Sequence, residues 1–281
     1  MYLPSLALMK EFYVLGLKVT FYALCIVGGA LVAWFLASWK AHKKGYPWEI
    51  YDTVFYWAFP AGIVGSRLWY VIAQWDTEFV DQPWYHVFQT WEGGMAIQGG
   101  VTLGAIVGIL VIIFRRKGWS VWQAADIGVP GILIAQAIGR WGNFLNVEVY
   151  GQIVDMSSWS FLPQWILDQM VVSSSFRVPL FLLEGLINIG GYYLLSRFIP
   201  LVFNKHYRDG DTLFAYFAWY GIVRFTLEPL RDAAYNMGDG TYLAASAMAI
   251  IFISFGVLGI IGNHIVRHYI DKTKMKSVKD I

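Results

Sequence analysis

Long apolar stretches separated by short polar connections dominate the chain. Seven of them, at about residues 19–39, 50–73, 95–114, 126–146, 178–203, 212–230 and 242–265, approach or exceed the roughly 20 mainly apolar residues needed to cross about 30 Å of hydrocarbon. The pattern predicts an all-α integral membrane protein, with 1–281 forming a single polytopic domain of seven transmembrane helices. The connection 147–177 is long enough to fold as a small external cap. On the third span Gly100, Gly104 and Gly108 recur every four residues, a stripe that lets another helix approach closely. Met1 to Glu11 lacks a basic region followed by a cleavable apolar segment, so it is expected to be retained as an interfacial segment.

Basic residues in the connections set the direction of threading. Lys40, Lys43, Lys44, Arg115, Arg116, Lys117, Lys205, Arg208 and the tail residues Arg267, Lys272, Lys274, Lys276 and Lys279 fall on one side. Lys10, Arg177 and Arg231 fall on the other. This predicts an outside N-terminus and a cytoplasmic C-terminus. Asp52, Asp126 and Asp211 then lie near inner helix starts, where an N-cap role is expected.

Composition agrees with the pattern. Only 14% of residues are charged, against about 25% in an ordinary soluble domain. The basic residues form separate short clusters, not the continuous stripe that nucleic acid requires. Cys25 is the sole cysteine, so it supplies neither an intrachain disulfide nor metal-ligand spacing. HExxH is absent, the five histidines lie in connections or at span ends, and Asp52 and Asp239 fall on opposite sides of the membrane. Intramembrane zinc and aspartate proteolysis are thereby disfavoured, and the Ser173–Ser174–Ser175 run has no candidate base nearby.

The informative residues are ionisable groups within spans, since an arginine at mid-bilayer costs about 2.5–3.5 kcal/mol even on insertion scales. Arg67, Arg140 and Arg224 each lie about six residues, roughly 9 Å, before the outer end of an outward-running span. Gln98 and Glu184 on inward-running spans, and Tyr22 on the first, fall at a similar level, with Asn143, Asn146, Glu148 and Glu228 just above. Three arginines against Glu184 and Glu228 leave an excess of positive charge. At headgroup depth that excess suits an anionic phosphate, which guanidinium binds bidentately. Arg140, Asn143 and Asn146 share one helix face, and Arg224, Glu228 and Arg231 form another stripe, ended by Pro229.

The string Gly139-Arg140-Trp141-Gly142-Asn143-Phe144-Leu145-Asn146-Val147-Glu148-Val149-Tyr150-Gly151 resembles the signature of prolipoprotein diacylglyceryl transferases. The likeness extends to Tyr22 in Phe-Tyr-Ala-Leu, Gly65-Ser66-Arg67 with Tyr70, and Gly93-Gly94-Met95-Ala96-Ile97. It continues through Pro179 with Glu184 and the Tyr220-Gly221-x-x-Arg224-Phe225-x-x-Glu228-x-x-Arg231 block. Gln98 stands where many members have His, and Val178 and Leu183 replace the His and Tyr often found around Pro179.

The resemblance implies transfer of a diacylglyceryl group from phosphatidylglycerol to the lipobox cysteine of a prolipoprotein. It implies a monomer in the bacterial plasma membrane, with no metal or organic cofactor. Arg140 and Arg224 would stabilise the leaving phosphate, and Glu148 or Tyr22 would take the thiol proton. Asn143, Asn146, Gln98, Glu228, Arg67, Gly151 and Arg231 would contact substrate. Two rivals stay open: a transporter for an anionic solute, and a noncatalytic binding protein for an anionic lipid or solute.

Overall fold

The structure is a computed structural model that describes residues 11–14, 17–90, 93–115, 119–204, 206–235 and 243–279. Lys10, Arg116, Lys117, Lys205, Asp239 and most of the expected N-terminal interfacial segment lie outside the described residues, as do the side chains of Lys274, Lys276 and Lys279. Two short strands, β1 (Glu11–Val14) and β2 (Leu17–Thr20), open the described chain.

Each predicted span coincides with helix. These are α1 (Phe21–Lys43), α2 (Glu49–Ala73), α3 (Ile97–Arg115) and α4 (Val121–Asn146), then α6 (Leu180–Tyr193), α8 (Asp211–Leu227) and α9 (Leu243–Lys279). By length and composition, α1, α3, α4 and Leu243–Ile270 of α9 are apolar enough to cross a membrane. The other three are less uniform for local reasons. Glu49, Asp52 and Arg67 interrupt α2. After α6 the ladder widens into a π-turn over Leu194–Phe198 before the one-turn α7 (Ile199–Val202). Pro200 near the start of α7 lacks an amide hydrogen and cannot continue the regular i→i−4 pattern. Pro229 likewise turns the end of α8 into a short 3-10 segment, Glu228–Leu230.

The chain groups into two compact units. Among the described residues, one comprises those within 13–18 and 34–124, and the other those within 11–12, 19–33 and 125–279. In the first, α2 lies against α3 along the predicted glycine stripe. A Cβ on Gly65 would stand 2.4 Å from the Gly99 carbonyl oxygen, so only glycine permits this approach. Asp52, expected as a helix cap, instead accepts a 2.7 Å bond from Trp34 Nε1.

In the second unit α4, α6, α8 and α9 surround the polar residues of interest, and residues 147–177 form a folded cap. The cap contains α5 (Gln164–Gln169) and a tight hairpin of β3 (Val171–Val172) and β4 (Ser175–Phe176). Its turn residues Ser173 and Ser174 have φ of 51° and 63°, so the serine run serves a two-residue hairpin turn of the type that requires positive φ. Ile166, Leu167, Met170 and Phe176 bury themselves against Phe144 of α4 and Phe181 of α6, which anchors the cap to the helices. Outside this core, α3 exposes Val101 and Phe114, and α9 exposes Leu258 and Ile265. Surfaces of this kind need an apolar surrounding.

Candidate active site

The site is built where α4 ends. Glu184 in the second turn of α6 and Arg224 in the last turn of α8 complete it. Arg140 donates through Nη2 to Glu184 Oε1 at 2.5 Å and through Nη1 to Asn143 Oδ1 at 3.2 Å. Asn143 in turn donates to Glu148 Oε1 at 3.1 Å. The i, i+3 spacing of Arg140 and Asn143 puts both on one face, and the chain returns so that Glu148 N–H bonds the Asn143 carbonyl at 2.9 Å. Tyr22 of α1 packs against Gly142, where a Cβ would lie 2.8 Å from its ring, and shares the electrostatic surroundings of Arg140 and Glu148. Asn146 is the half-buried last residue of α4.

The return loop is strained. Val147 and Val149, on either side of Glu148, have φ of 57° and 54°, a conformation that β-branched residues rarely adopt. Such strain persists only where surrounding contacts hold it. Here Tyr150 is gripped between the Arg177 guanidinium, 5.2 Å from its ring centroid, and Tyr235, 5.1 Å away edge-on. Burial, then the Tyr150 hydroxyl, push the Tyr235 phenol up to about 12, so it stays protonated at neutral pH. Arg177 forms an ion pair with Asp232. Residues 150–154 then run extended, with isolated bridges from Gly151 to Arg231 and from Ile153 to Arg177. Gly151 N–H bonds the Val178 carbonyl at 3.0 Å, and Gln152 N–H bonds the Leu230 carbonyl at 2.9 Å. Gly151 is required there, because a Cβ would lie 2.5 Å from Val178 Cβ.

On α8, Arg224 Nη2 stands 2.8 Å from Glu228 Oε2, and Arg231 Nε stands 3.5 Å from the same oxygen. Glu228 is 1% exposed and serves two guanidiniums at once. Burial and then the charge of Arg224 hold the Arg231 pKa below the ordinary arginine value. Two arginines with one carboxylate between them leave this corner electropositive, which suits an anionic ligand.

Tyr22, Arg140, Asn143, Glu148, Glu184, Arg224, Glu228 and Arg231 thus belong to one unit, where Arg140, Asn143, Glu148 and Glu184 form one linked cluster and Arg224, Glu228 and Arg231 another. Arg67 and Gln98 belong to the other unit. The Arg67 guanidinium donates to the carbonyls of His86, Val87, Gly93 and Gly94 at 2.7–3.0 Å, so most of its hydrogens are spent on loop backbone. Gln98 is exposed in the first turn of α3. Sequence reasoning counted Arg177 only as a topology marker and did not weigh Asp232 at all. The available signal was opposite charge in two connections that each abut a residue of the motif, Pro179 in one case and Glu228 in the other. Among the described residues, no three His, Cys, Asp or Glu side chains cluster to hold a metal ion.

The ends of α4 and α8 each carry an arginine paired with a buried carboxylate, Arg140 with Glu184 and Arg224 with Glu228. The family of prolipoprotein diacylglyceryl transferases matches residues 10–262, and the chain belongs to it. Similar proteins carry the name phosphatidylglycerol–prolipoprotein diacylglyceryl transferase. The one from Shouchella clausii (strain KSM-K16) is 38% identical over 87% of this chain and 86% of its own. That from Lactococcus lactis subsp. cremoris (strain MG1363) is 38% identical over 91% and 94%, and that from Streptococcus pneumoniae (strain ATCC 700669 / Spain 23F-1) 38% identical over 87% and 90%.

Proposed function

We propose that this protein transfers the diacylglyceryl group of phosphatidylglycerol to the lipobox cysteine of a prolipoprotein. The observation that carries the reading is the pair of guanidinium centres: Arg140 is backed by Glu184 and Asn143, and Arg224 with Arg231 flanks Glu228. Arg140 and Arg224 keep side-chain exposures of 22% and 18%, so each retains a face for a phosphate while its carboxylate partner fixes its direction.

In the reaction the cysteine sulfur attacks the glycerol carbon that carries the phosphate. A C–S bond forms, the C–O bond breaks, and glycerol phosphate leaves with the electron pair. Charge grows on the leaving phosphate in the transition state, and fixed guanidiniums stabilise that growth without reorganising. The same positive field raises the thiolate fraction of the incoming cysteine. Glu148, aimed by Asn143, is the candidate to accept the thiol proton, directly or through the Tyr22 hydroxyl, which gives up its own proton as it takes the thiol's. Asn143, Asn146, Gly151, Glu228 and Arg231 line the approach to this centre. Arg67 holds the backbone at 86–87 and 93–94, and Gln98 stands exposed where lipid can touch it. We assign the chain seven membrane crossings, with the Arg140 end of α4 outward and the C-terminus cytoplasmic, from the asymmetry of basic residues.

Incubation of the purified protein with phosphatidylglycerol and a lipobox peptide tests the activity. The expected product is a peptide heavier by one diacylglyceryl group. An unmodified peptide in the presence of folded protein overturns the reading, whereas the adduct excludes both the transporter and the noncatalytic binder. Orientation is tested by cysteines introduced singly in a Cys25→Ala background. Impermeant reagent should label position 155 in intact cells and leave 43 and 276 unlabelled; the opposite pattern reverses the threading.

A further inference from the structure

Between the extended segment 150–154 and the turn after α8 lies a cavity of about 500 Å³, walled chiefly by Gln152, Ile153, Arg177, Glu228, Arg231 and Asp232. Its volume is that of a ligand site, which typically encloses about 300–1,000 Å³. Three of its side chains leave buried polar atoms without a hydrogen-bond partner: Arg177 Nε, Arg231 Nε and both carboxylate oxygens of Glu228. Glu228 is charge-balanced by Arg224 and Arg231, yet neither contact is aligned as a hydrogen bond. Buried polar atoms in folded proteins are nearly always paired, so this concentration of unpaired ones in one cavity asks for a ligand.

The mixture of signs tells what kind. A phosphate presents only acceptors, so it answers the guanidiniums and leaves the Glu228 and Asp232 carboxylates of this wall without a donor. A polypeptide main chain presents one N–H donor and one carbonyl acceptor per residue, and a wall of two carboxylates and two guanidiniums answers both. The walls come from the connections before α6 and after α8, and Glu228 reaches from the cavity to Arg224 in the reaction site.

We infer that this cavity is a subsite for the main chain of the acceptor polypeptide, just C-terminal to its reacting cysteine. The inference rests on the transferase reading above. The apolar segment that precedes the acceptor cysteine stays in hydrocarbon, so the chain beyond the cysteine is the part that must run along polar walls. Its amide hydrogens donate to Glu228 and Asp232, and its carbonyls accept from Arg177 and Arg231.

The test uses the full-length protein with phosphatidylglycerol and two acceptor peptides. One ends directly after the cysteine, and the other continues four residues further. Ala233 is exposed and borders the cavity, so Ala233→Trp fills it from the solvent side. With wild-type protein the longer peptide should show a kcat/KM advantage of about tenfold, the effect of pairing one buried charged group. Ala233→Trp should abolish that advantage while leaving turnover of the short peptide and the KM for phosphatidylglycerol unchanged.

Equal use of both peptides by the wild type, or an advantage that survives Ala233→Trp, overturns the inference. A rise in the phosphatidylglycerol KM instead assigns the cavity to the lipid headgroup and overturns it too. If Ala233→Trp does not accumulate, Gln152→Ala replaces it: Gln152 is exposed and its amide bonds the Pro229 carbonyl at 2.7 Å. That variant should at least halve the advantage, and an unchanged advantage counts against the subsite. A wild type that modifies neither peptide refutes the transferase reading itself, a result distinct from failure of the subsite, which leaves short-peptide turnover intact.

Discussion

Helices α4 and α8 carry charged residues at both ends, and the two ends use them in opposite ways. At one end Asp126 is fully engaged. Its Oδ2 accepts from Gly210 N–H at 2.7 Å and Tyr207 hydroxyl at 2.8 Å, and its Oδ1 accepts from Leu213 N–H at 2.9 Å. Gly210 precedes α8 and has no side chain to cap it, so Asp126 caps that helix from across the bundle. Asp211 is engaged likewise, by Arg208 N–H, Asn263 and His264. Burial, then Asp126, push the Tyr207 pKa well up, so its hydroxyl remains a donor. At the other end Glu228 has two guanidiniums and no aligned hydrogen bond, and Arg140 and Arg224 remain partly exposed. Closed polar networks stabilise a fold; networks left open with charge to spare are suited to receiving a ligand.

The comparison breaks most readily at Arg140. Arg140→Lys keeps the charge but loses the planar fork that reaches Glu184 and Asn143 together. Turnover should fall by about 10²–10³-fold, the scale for removing one transition-state donor, while thermal stability stays near wild type. Steady-state assay with a melting curve checks both. A folded lysine variant with near-normal turnover would remove Arg140 from the chemistry.

At the opposite end the signature should invert. Asp126→Ala leaves two backbone N–H groups and a tyrosine hydroxyl without their acceptor, at a cost of about 3 kcal/mol. Thermal unfolding in detergent should show the loss, while turnover per folded molecule stays within about twofold, because Asp126 touches no group at the Arg140 end. A folded Asp126→Ala protein with strongly reduced turnover would mean that the two ends are coupled.

The difference between these ends explains how much could be read in advance. Apolar period and length located every long helix, and within the 139–151 and 220–231 segments Arg140 pairs with Asn143, Asn143 with Glu148 and Arg224 with Glu228. Spacing along one helix is local information, and Arg140 with Asn143 or Arg224 with Glu228 is a local pair. What was not legible depends on distant partners. Asp126 reads as the cap of its own helix, yet it caps a helix beginning some eighty residues later. Arg67 reads as one more arginine of the polar layer, but the carbonyls that claim its hydrogens come only at 86–87 and 93–94. The expected charge excess therefore arises differently, with Arg231 joining Arg224 around Glu228.

A smaller effect tests whether the strained loop contributes to the open end. Val149→Gly relaxes a left-handed φ that costs about 1 kcal/mol or more, but it also frees the unfolded chain, so net stability should change by less than about 1 kcal/mol. Glu148 would lose its fixed aim at Asn143, and turnover should fall about three- to tenfold. Unchanged turnover would show that Glu148 needs no such support.

The smallest effect is expected at Gln98, where family members often carry a histidine. Were this side chain buried, its loss would leave a polar partner unsatisfied, at about 1–3 kcal/mol. The structure exposes it in the first turn of α3, where water can replace whatever its amide touches. Gln98→Ala should therefore raise the KM for phosphatidylglycerol by no more than about threefold, in keeping with the roughly 0.5 kcal/mol typical of surface substitutions. An amide does not titrate near neutral pH, so the dependence of turnover on pH should keep its shape. Turnover of Gln98→Ala and Gln98→His across pH 5–9 separates the possibilities. If alanine shifts an ionisation, this position governs the proton and the assignment to Glu148 or Tyr22 fails. If histidine adds an ionisation and raises turnover, a base at this position can assist the reaction, and the wild-type chain carries it out without one.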